Sequence, residues 1–245
     1  PEGTRDAMLS QLQGLVSYFY LKGLDMFGGM PLYTTTQSDI KPRSTDVRTF
    51  EFIDSLLTEA LPNVPVKTEL GAKETGAINA AAIATMKAQL YFNAPSYIRQ
   101  EKWQECADIC KDIIEGKYGK YDIDPDWTNV FGFNNDTSPE IIWSVPSEHA
   151  KLESDGMHWS RMVPYNFRNY LGGLEDSGSN NGIALMPGLD PTGTPYTTKL
   201  GRIYSKFNDQ DIRKQNYVYL GDGKYKGMFV VGLQQNPLNP EWVCM

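Results

Sequence analysis

Four successive segments in the first 116 residues place apolar side chains at three- and four-residue steps, and after Lys117 that rhythm stops. Such a pattern dictates a helical layer followed by a region built mainly of loops. The first segment, residues 5–27, repeats through Met8, Leu12, Leu15, Val16, Phe19 and Phe27. Tyr18, Tyr20 and Leu21 occupy its other faces, so the reading expects a helix buried on more than one side. Gly28-Gly29 followed by Pro31 stops it, and Met30-Pro31-Leu32-Tyr33 then runs extended.

A second helix starts near Thr45, an N-cap type of residue, with Asp46 in the first turn where a negative charge is favoured. Its stripe is Phe50, Ile53, Leu57, Ala60 and Leu61, and Pro62 and Pro65 end it. Thr75 is the expected cap of a third helix, whose run Ala77-Ile78-Asn79-Ala80-Ala81-Ala82-Ile83-Ala84 is small enough to let a neighbour approach closely. This helix continues through Met86, Leu90 and Tyr91 to about Asn93. Pro95 and a short Ser96-Tyr97 link lead to a fourth helix over residues 100–115, carrying Trp103, Cys106, Ala107, Cys110, Ile113 and Ile114, with Gly116 at its end. Helices three and four make an antiparallel hairpin of the size used in tetratricopeptide-like repeats, about 34 residues. No second copy of the small-residue pattern follows.

The fold class expected is mainly α, a tetratricopeptide-like helical-hairpin scaffold with a loop-rich, minor-β ligand-binding region. The scaffold covers residues 1–116 and the loop-rich part residues 117–245. In the latter, Gly, Pro, Asn, Asp and Tyr rise. Glu140-Ile141-Ile142-Trp143-Ser144-Val145 reads as a strand, and Tyr217-Val218-Tyr219-Leu220 turning at Gly221-Asp222-Gly223 into residues 224–231 reads as a hairpin. Residues 148–198 carry few regular signals but several aromatics, the composition of a functional or partner-facing loop.

Composition excludes several classes. At 40% hydrophobic and 22% charged residues the chain buries a sizeable core and is not intrinsically disordered. Its 23 basic against 30 acidic residues give a net charge of −7 without a basic stripe, so nucleic acid is not an expected partner. No stretch approaches the roughly 20 apolar residues that cross a bilayer. Three cysteines do not make a disulfide framework. Cys106 and Cys110, four apart on a helix, stack on one face in a geometry that disfavours bridging, and are expected as small core hydrophobes. The chain opens at Pro1 without an initiator Met and closes on Trp242-Val243-Cys244-Met245, so an interior piece of a longer protein is expected.

Several passages resemble one family. Tyr18-Phe19-Tyr20-Leu21 leading to Phe27-Gly28-Gly29-Met30-Pro31-Leu32 is similar to the "helix, then Tyr-Gly-Asp-Val-Pro-Leu" passage of the SusD/RagB family, surface glycan- and nutrient-binding lipoproteins of Bacteroidetes. Residues 43–48 with Phe52-Ile53 to Leu61-Pro62 resemble its second helix, and residues 80–91 its alanine-rich helix. Tyr118 to Phe131 followed by Glu140-Ile141-Ile142-Trp143 is similar to its "Tyr…Phe…Glu-Ile-Ile-Phe/Trp" passage. The stretch from Ile203 to Arg213 resembles its "Tyr…Asp-Pro-Arg" segment, with Gln210-Asp211-Ile212-Arg213 departing from it. Gly29-Met30 in place of Asp-Val is the other departure.

The resemblance implies capture of oligosaccharide or polysaccharide at the outer membrane, on its extracellular face, without catalysis. It further implies a SusC-like TonB-dependent transporter as partner, and a membrane link made only through an N-terminal lipid anchor absent from this chain. A sugar-binding surface needs flat aromatic platforms with amide or charged groups beside them. Residues of that type cluster in the run from Met157 to Tyr170: Trp159, Tyr165 and Tyr170 as platforms, with Asn166, Arg161 and Arg168. The competing reading is that these aromatics pack the loop onto the helical layer. Trp103 on its helical stripe and Trp143 in the strand-like run read as core. Trp127, in an acidic turn, either stacks ligand or packs.

Asp122, Asp124 and Asp126 share the spacing of the first three ligands of a calcium loop, but Trp127 replaces the required Gly and Phe133 the closing Glu, which excludes an EF-hand. No metal and no cofactor are expected. Among enzyme readings, a glycosidase needs two facing carboxylates. Glu140, Glu148, Glu153, Asp155, Glu175 and Asp176 are candidates, and nothing singles out a pair. There is no Gly-x-Ser-x-Gly elbow, no His-Glu-x-x-His and no phosphate loop, and the two histidines, His149 and His158, leave little acid–base chemistry. The alternatives to glycan capture are peptide capture on the same scaffold, as the RagB branch implies, and a helical-repeat adaptor that binds only protein.

Overall fold

The computed structural model describes residues 2–36, 39–73, 75–126, 129–130 and 135–145, and, further on, 192, 194, 204, 206–219, 227–229, 234–235 and 243–244. Two compact units are present: Pro1–Asp124 with Asp136–Pro146, and Pro125–Asn135 with Ser147–Met245.

The first unit is helical. Its elements are α1 (Glu2–Phe27), α2 (Asp46–Ala60), α3 (Ala80–Phe92), α4 (Ala94–Ile98) and α5 (Trp103–Ile114), with a 3-10 turn at Leu61–Asn63 after α2. Helix α1 lies on α2, α2 touches α3 and α4, and α3 lies on α5, so the elements form a sequential helical stack. The core runs through Leu21 and Leu24 of α1, Phe50, Ile53, Leu57 and Ala60 of α2, and Ile83, Met86, Leu90 and Tyr91 of α3. Each fully buried Leu or Ile contributes about 1.5–3 kcal/mol of transfer free energy. Helix α3 is buried except along the stripe of Thr85, Gln89 and Phe92, and its alanines at 80, 81, 82, 84 and 88 keep it thin enough to sit between neighbours.

Local chemistry sets the ends. Gly28 stops α1 with φ +74, the left-handed conformation that glycine adopts without strain. Arg43 then caps that end: its Nε donates to the Gly29 carbonyl at 2.7 Å and Nη2 to the Phe27 carbonyl at 2.6 Å. Thr45 caps α2 as its sequence position predicts, accepting the Arg48 N–H at 3.1 Å. Gly116, with φ +78, follows α5.

Five expectations are corrected. The cap of α3 is Asn79, not Thr75; its Oδ1 accepts the Ala82 N–H at 2.9 Å, and the helix begins after Ile78. Thr75 instead accepts the Ala77 N–H in a local turn. The link after α3 is itself one helical turn, α4, with Pro95 in its first turn and Arg99 leaving it at φ 59. Trp103 and Cys110 are not core: Trp103 is 47% exposed with its ring edge-on to Phe92, and Cys110 faces solvent while Cys106 is half-buried, both as free thiols. The α5 stripe is wide enough to have two edges, and only the edge with Cys106 and Ile109 reaches the core. Residues 140–145 are not a strand, because their polar backbone is taken up by side chains, as detailed below. Helix α1, finally, is buried on one face only.

In the second unit the described elements are a 3-10 turn at Ile212–Asn216 and four short strands. Strands β1 (Tyr217–Tyr219) and β2 (Gly227–Phe229) pair antiparallel, Tyr217 opposite Phe229, which is the hairpin read from the sequence. Strands β3 (Gln234–Gln235) and β4 (Val243–Cys244) form a second antiparallel pair. The turn residues 221–223 lie outside the described residues.

Candidate functional site

Trp159, Tyr165, Tyr170, Asn166, Arg161, Arg168 and Trp127 all lie outside the described residues, as do His149, His158, Glu148, Glu153, Asp155, Glu175 and Asp176. What is described borders them in sequence: Trp127 lies between Asp124 and Asp136, and residues 159–170 follow the segment that ends at Pro146.

Residues 122–124 and 136–140 meet in a buried carboxylate clamp. Asp124 and Ser138 are both buried, and the Ser138 hydroxyl donates to Asp124 Oδ2 at 3.1 Å. Glu140 Oε1 accepts the Asp124 N–H at 2.9 Å, and the Asp122 N–H donates to the Pro139 carbonyl at 3.3 Å. Lys73 pairs with Asp136 at 3.0 Å beside it. The Asp122 carboxylate accepts the Ile123 N–H at 2.8 Å. The aspartate spacing at 122 and 124 thus serves turn anchoring: the two carboxylates are turned to different donors. Among the described residues no group of three His, Cys, Asp or Glu side chains converges as metal ligands do. Glu140, a sequence candidate for acid–base work, is occupied by a backbone amide.

Residues 141–143 are docked onto the residues that precede and cap α3. Asn79 Nδ2 donates to the Ile142 carbonyl at 2.7 Å, Lys67 Nζ to the Ile141 carbonyl at 3.3 Å, and Trp143 Nε1 to the Gly76 carbonyl at 3.0 Å. The Trp143 ring meets Tyr18 of α1 edge-on, centroids 5.2 Å apart. Lys67 also lies 5.4 Å over the Tyr121 ring, a cation–π contact. Its backbone carbonyl takes the Lys120 N–H at 2.9 Å in a parallel bridge to Gly119, whose φ of +137 requires glycine. Trp143 therefore packs against the core as expected, though from an irregular segment.

The sequence reading missed Lys67, Asn79 and Arg43 as organisers of this framework. Asn79 carried a signal: an N-cap residue directly ahead of an alanine run. Lys67 and Arg43 act through main-chain carbonyls far away in sequence, for which no local pattern exists.

Two open hollows flank the framework. One, of about 440 Å³, is lined by Arg43, Thr45, Asp46, Tyr97 and Arg99; the other, of about 230 Å³, by Val66, Lys67, Thr68, Lys73 and Asn79. Neither holds a flat aromatic pair. Beside the first, burial and a hydrogen bond to Asp25 push the Tyr97 phenol up to about 12. At the end of α5, the Lys117 ammonium beside Asp112 holds that carboxyl below its ordinary range.

Gly29 bears on the departure from the family passage. A side chain there would come within 2.1 Å of the Ser44 carbonyl and 2.6 Å of the Thr45 backbone, and Asp46 Oδ1 accepts the Gly29 N–H at 2.6 Å. Glycine lets the start of α2 close over the end of α1.

The chain matches no model of a known protein family and no curated relative. Solved structures do match. A SusD superfamily protein from Bacteroides fragilis superposes with a TM-score of 0.69 at 17% identity, over 97% of this chain and 51% of its own. B. fragilis NanU matches at TM-score 0.68 and 15% identity, over 100% and 51%. Surface glycan-binding protein A from Bacteroides uniformis matches at 0.62 and 16%, over 100% and 48%. The chain spans about half the length of these solved structures. Its fold is that of the SusD superfamily.

Proposed function

We propose that this chain is the scaffold and loop region of a cell-surface protein that captures oligosaccharide or polysaccharide without cleaving it. Residues 1–116 form the scaffold and residues 117–245 carry the ligand-binding surface. Trp159, Tyr165 and Tyr170 supply the platforms, Asn166, Arg161 and Arg168 the polar partners, and Trp127 an edge of the site. The captured glycan passes to a SusC-like TonB-dependent transporter, and the protein is held on the extracellular face of the outer membrane by a lipid anchor outside these residues.

One observation carries the reading: the chain aligns over its whole length with surface glycan-binding protein A of B. uniformis, glycan binding being stated in that protein's name. The dense aromatic and amide composition of residues 157–170 supports it, since sugar rings present apolar faces and hydroxyl edges to such surfaces. Calorimetric titration against neutral oligosaccharides and matched peptides, with a reducing-end assay on the same mixtures, tests it. Saturable glycan binding without new reducing ends is expected. Peptide-only binding would replace the reading with peptide capture, silence on both panels with a protein adaptor, and new reducing ends with a glycosidase.

A further inference from the structure

Helix α5 carries two thiols that glycan capture does not use. Cys106 is half-buried and Cys110 exposed, and both are free. Four apart on one helix, they stand one turn above the other, with Cβ atoms about 5–6 Å apart. A disulfide needs Cβ atoms about 3.5–4.5 Å apart, so an intact α5 keeps the pair as thiols. The two sulfurs are nonetheless within hydrogen-bonding reach: burial first, and then the charge and hydrogen bond of Cys110, push the Cys106 thiol up.

The helix holds this pair in place and offers it little else. Cys106 and Ile109 anchor α5 against the core, and α5 lies along α3. The charged side chains around the thiols are engaged with other partners: Glu105 with Lys102 at 2.9 Å, Asp108 with Gln104 at 2.9 Å, and Lys111 with Glu115 at 3.7 Å. Among the described residues no third His, Cys, Asp or Glu converges on the pair. Zinc, which takes four ligands in structural sites, is poorly served by two. Thiolates also select copper(I), a soft ion content with two sulfurs on opposite sides. Two metal–sulfur bonds of about 2.3 Å each span about 4.6 Å, which sulfurs carried on Cβ atoms one helical turn apart can match.

We propose that Cys106 and Cys110 form a two-thiolate site for copper(I). On binding, both S–H bonds break, two S–Cu bonds form and two protons pass to solvent; no electron is transferred, and the complex carries one negative charge. One helix sets the geometry, so the site rests neither on residues beyond these 245 nor on the glycan reading.

The test offers the copper(I)–bicinchoninate complex, without oxygen, to the phosphine-reduced protein as its native cell makes it, and follows the loss of the complex's absorbance. Withdrawal of one copper(I) per chain, with two protons released and no displacement by about a tenfold excess of zinc(II), is the expected result. Cys110→Ser, on the exposed side, should weaken it by roughly a hundredfold or more, above what loss of an outer-shell partner costs. Cys110→Ser/Lys111→Cys keeps two thiols on α5 but turns one about 140° away, and should be as weak. No withdrawal by the native protein, displacement by zinc(II), or copper(I) held equally well by either variant would overturn the proposal.

Discussion

Asn79 holds two parts of the chain together: its Oδ1 caps α3 while its Nδ2 donates to the carbonyl of Ile142, 63 residues away, at 2.7 Å. The same amide starts the alanine-rich helix and fixes the segment around Ile142. Asn79→Ala should remove both bonds and leave the Ile142 carbonyl short of a partner, costing about 1–3 kcal/mol. Asn79→Asp should keep the cap and lose only the bond to Ile142. Urea midpoints for the two variants check this ordering, and equal losses would contradict it.

The buried ammonium of Lys87 is shared by α2 and α3. It donates to Asp54 at 2.5 Å and to the Thr58 hydroxyl at 2.7 Å, while Tyr91 donates to the same aspartate at 2.7 Å. Asp54→Ala should cost about 2–4 kcal/mol, because it strands a buried charge and a phenol together. Asp54→Ala combined with Lys87→Met should recover part of that loss. A double-mutant cycle in urea measures the recovery.

Tyr97 predicts an alkaline limit. Its phenol is raised to about 12, chiefly by burial and then by the bond to Asp25, against about 10 for an unfolded tyrosine. The folded state therefore favours the protonated phenol. Its contribution is complete below pH 10 and declines as pH rises from about 10 through 12. Tyr91 acts in the same direction, held up by burial and by Asp54. Tyr97→Phe should flatten part of the stability decline above pH 10, seen as a smaller fall in Tm between pH 9 and pH 11.

The net charge of −7 predicts ligand preference. Neutral oligosaccharides should bind more tightly than sulfated or polyuronic chains of equal length, and raising salt should narrow the gap. Comparable affinity for heparin-like chains at low salt would contradict this.

Much of the helical scaffold was legible because its signals are local. Gly28, Thr45 and Gly116 act within a turn of where they stand, and the α2 stripe from Phe50 to Ala60 is buried as its period predicts. Misreadings arose where tertiary contacts decide. Thr75 and Asn79 are both good caps, and Asn79 wins because Ile142 is within its reach. Apolar α1 and Trp103 read as buried, since periodicity reports that a face is apolar and not what packs against it. Residues 140–145 have strand composition, yet Lys67, Asn79 and Ser138 take their carbonyls and amides in place of a neighbouring strand. For the site, composition pointed to residues 157–170, which lie outside the described residues, while the bonds that Asn79 and Lys67 make to the carbonyls of Ile142 and Ile141 are visible only in three dimensions.

The most direct measurement compares calorimetric binding of a neutral oligosaccharide by the native protein and by its Trp159→Ala and Tyr165→Ala/Tyr170→Ala variants, with folding checked by circular dichroism. Losing a stacking ring removes about 1.5–3 kcal/mol, roughly a ten- to hundredfold rise in Kd for the tryptophan variant. That loss, in a protein that stays folded and releases no reducing ends, is what a capture surface predicts. Unchanged affinity in both folded variants would contradict it.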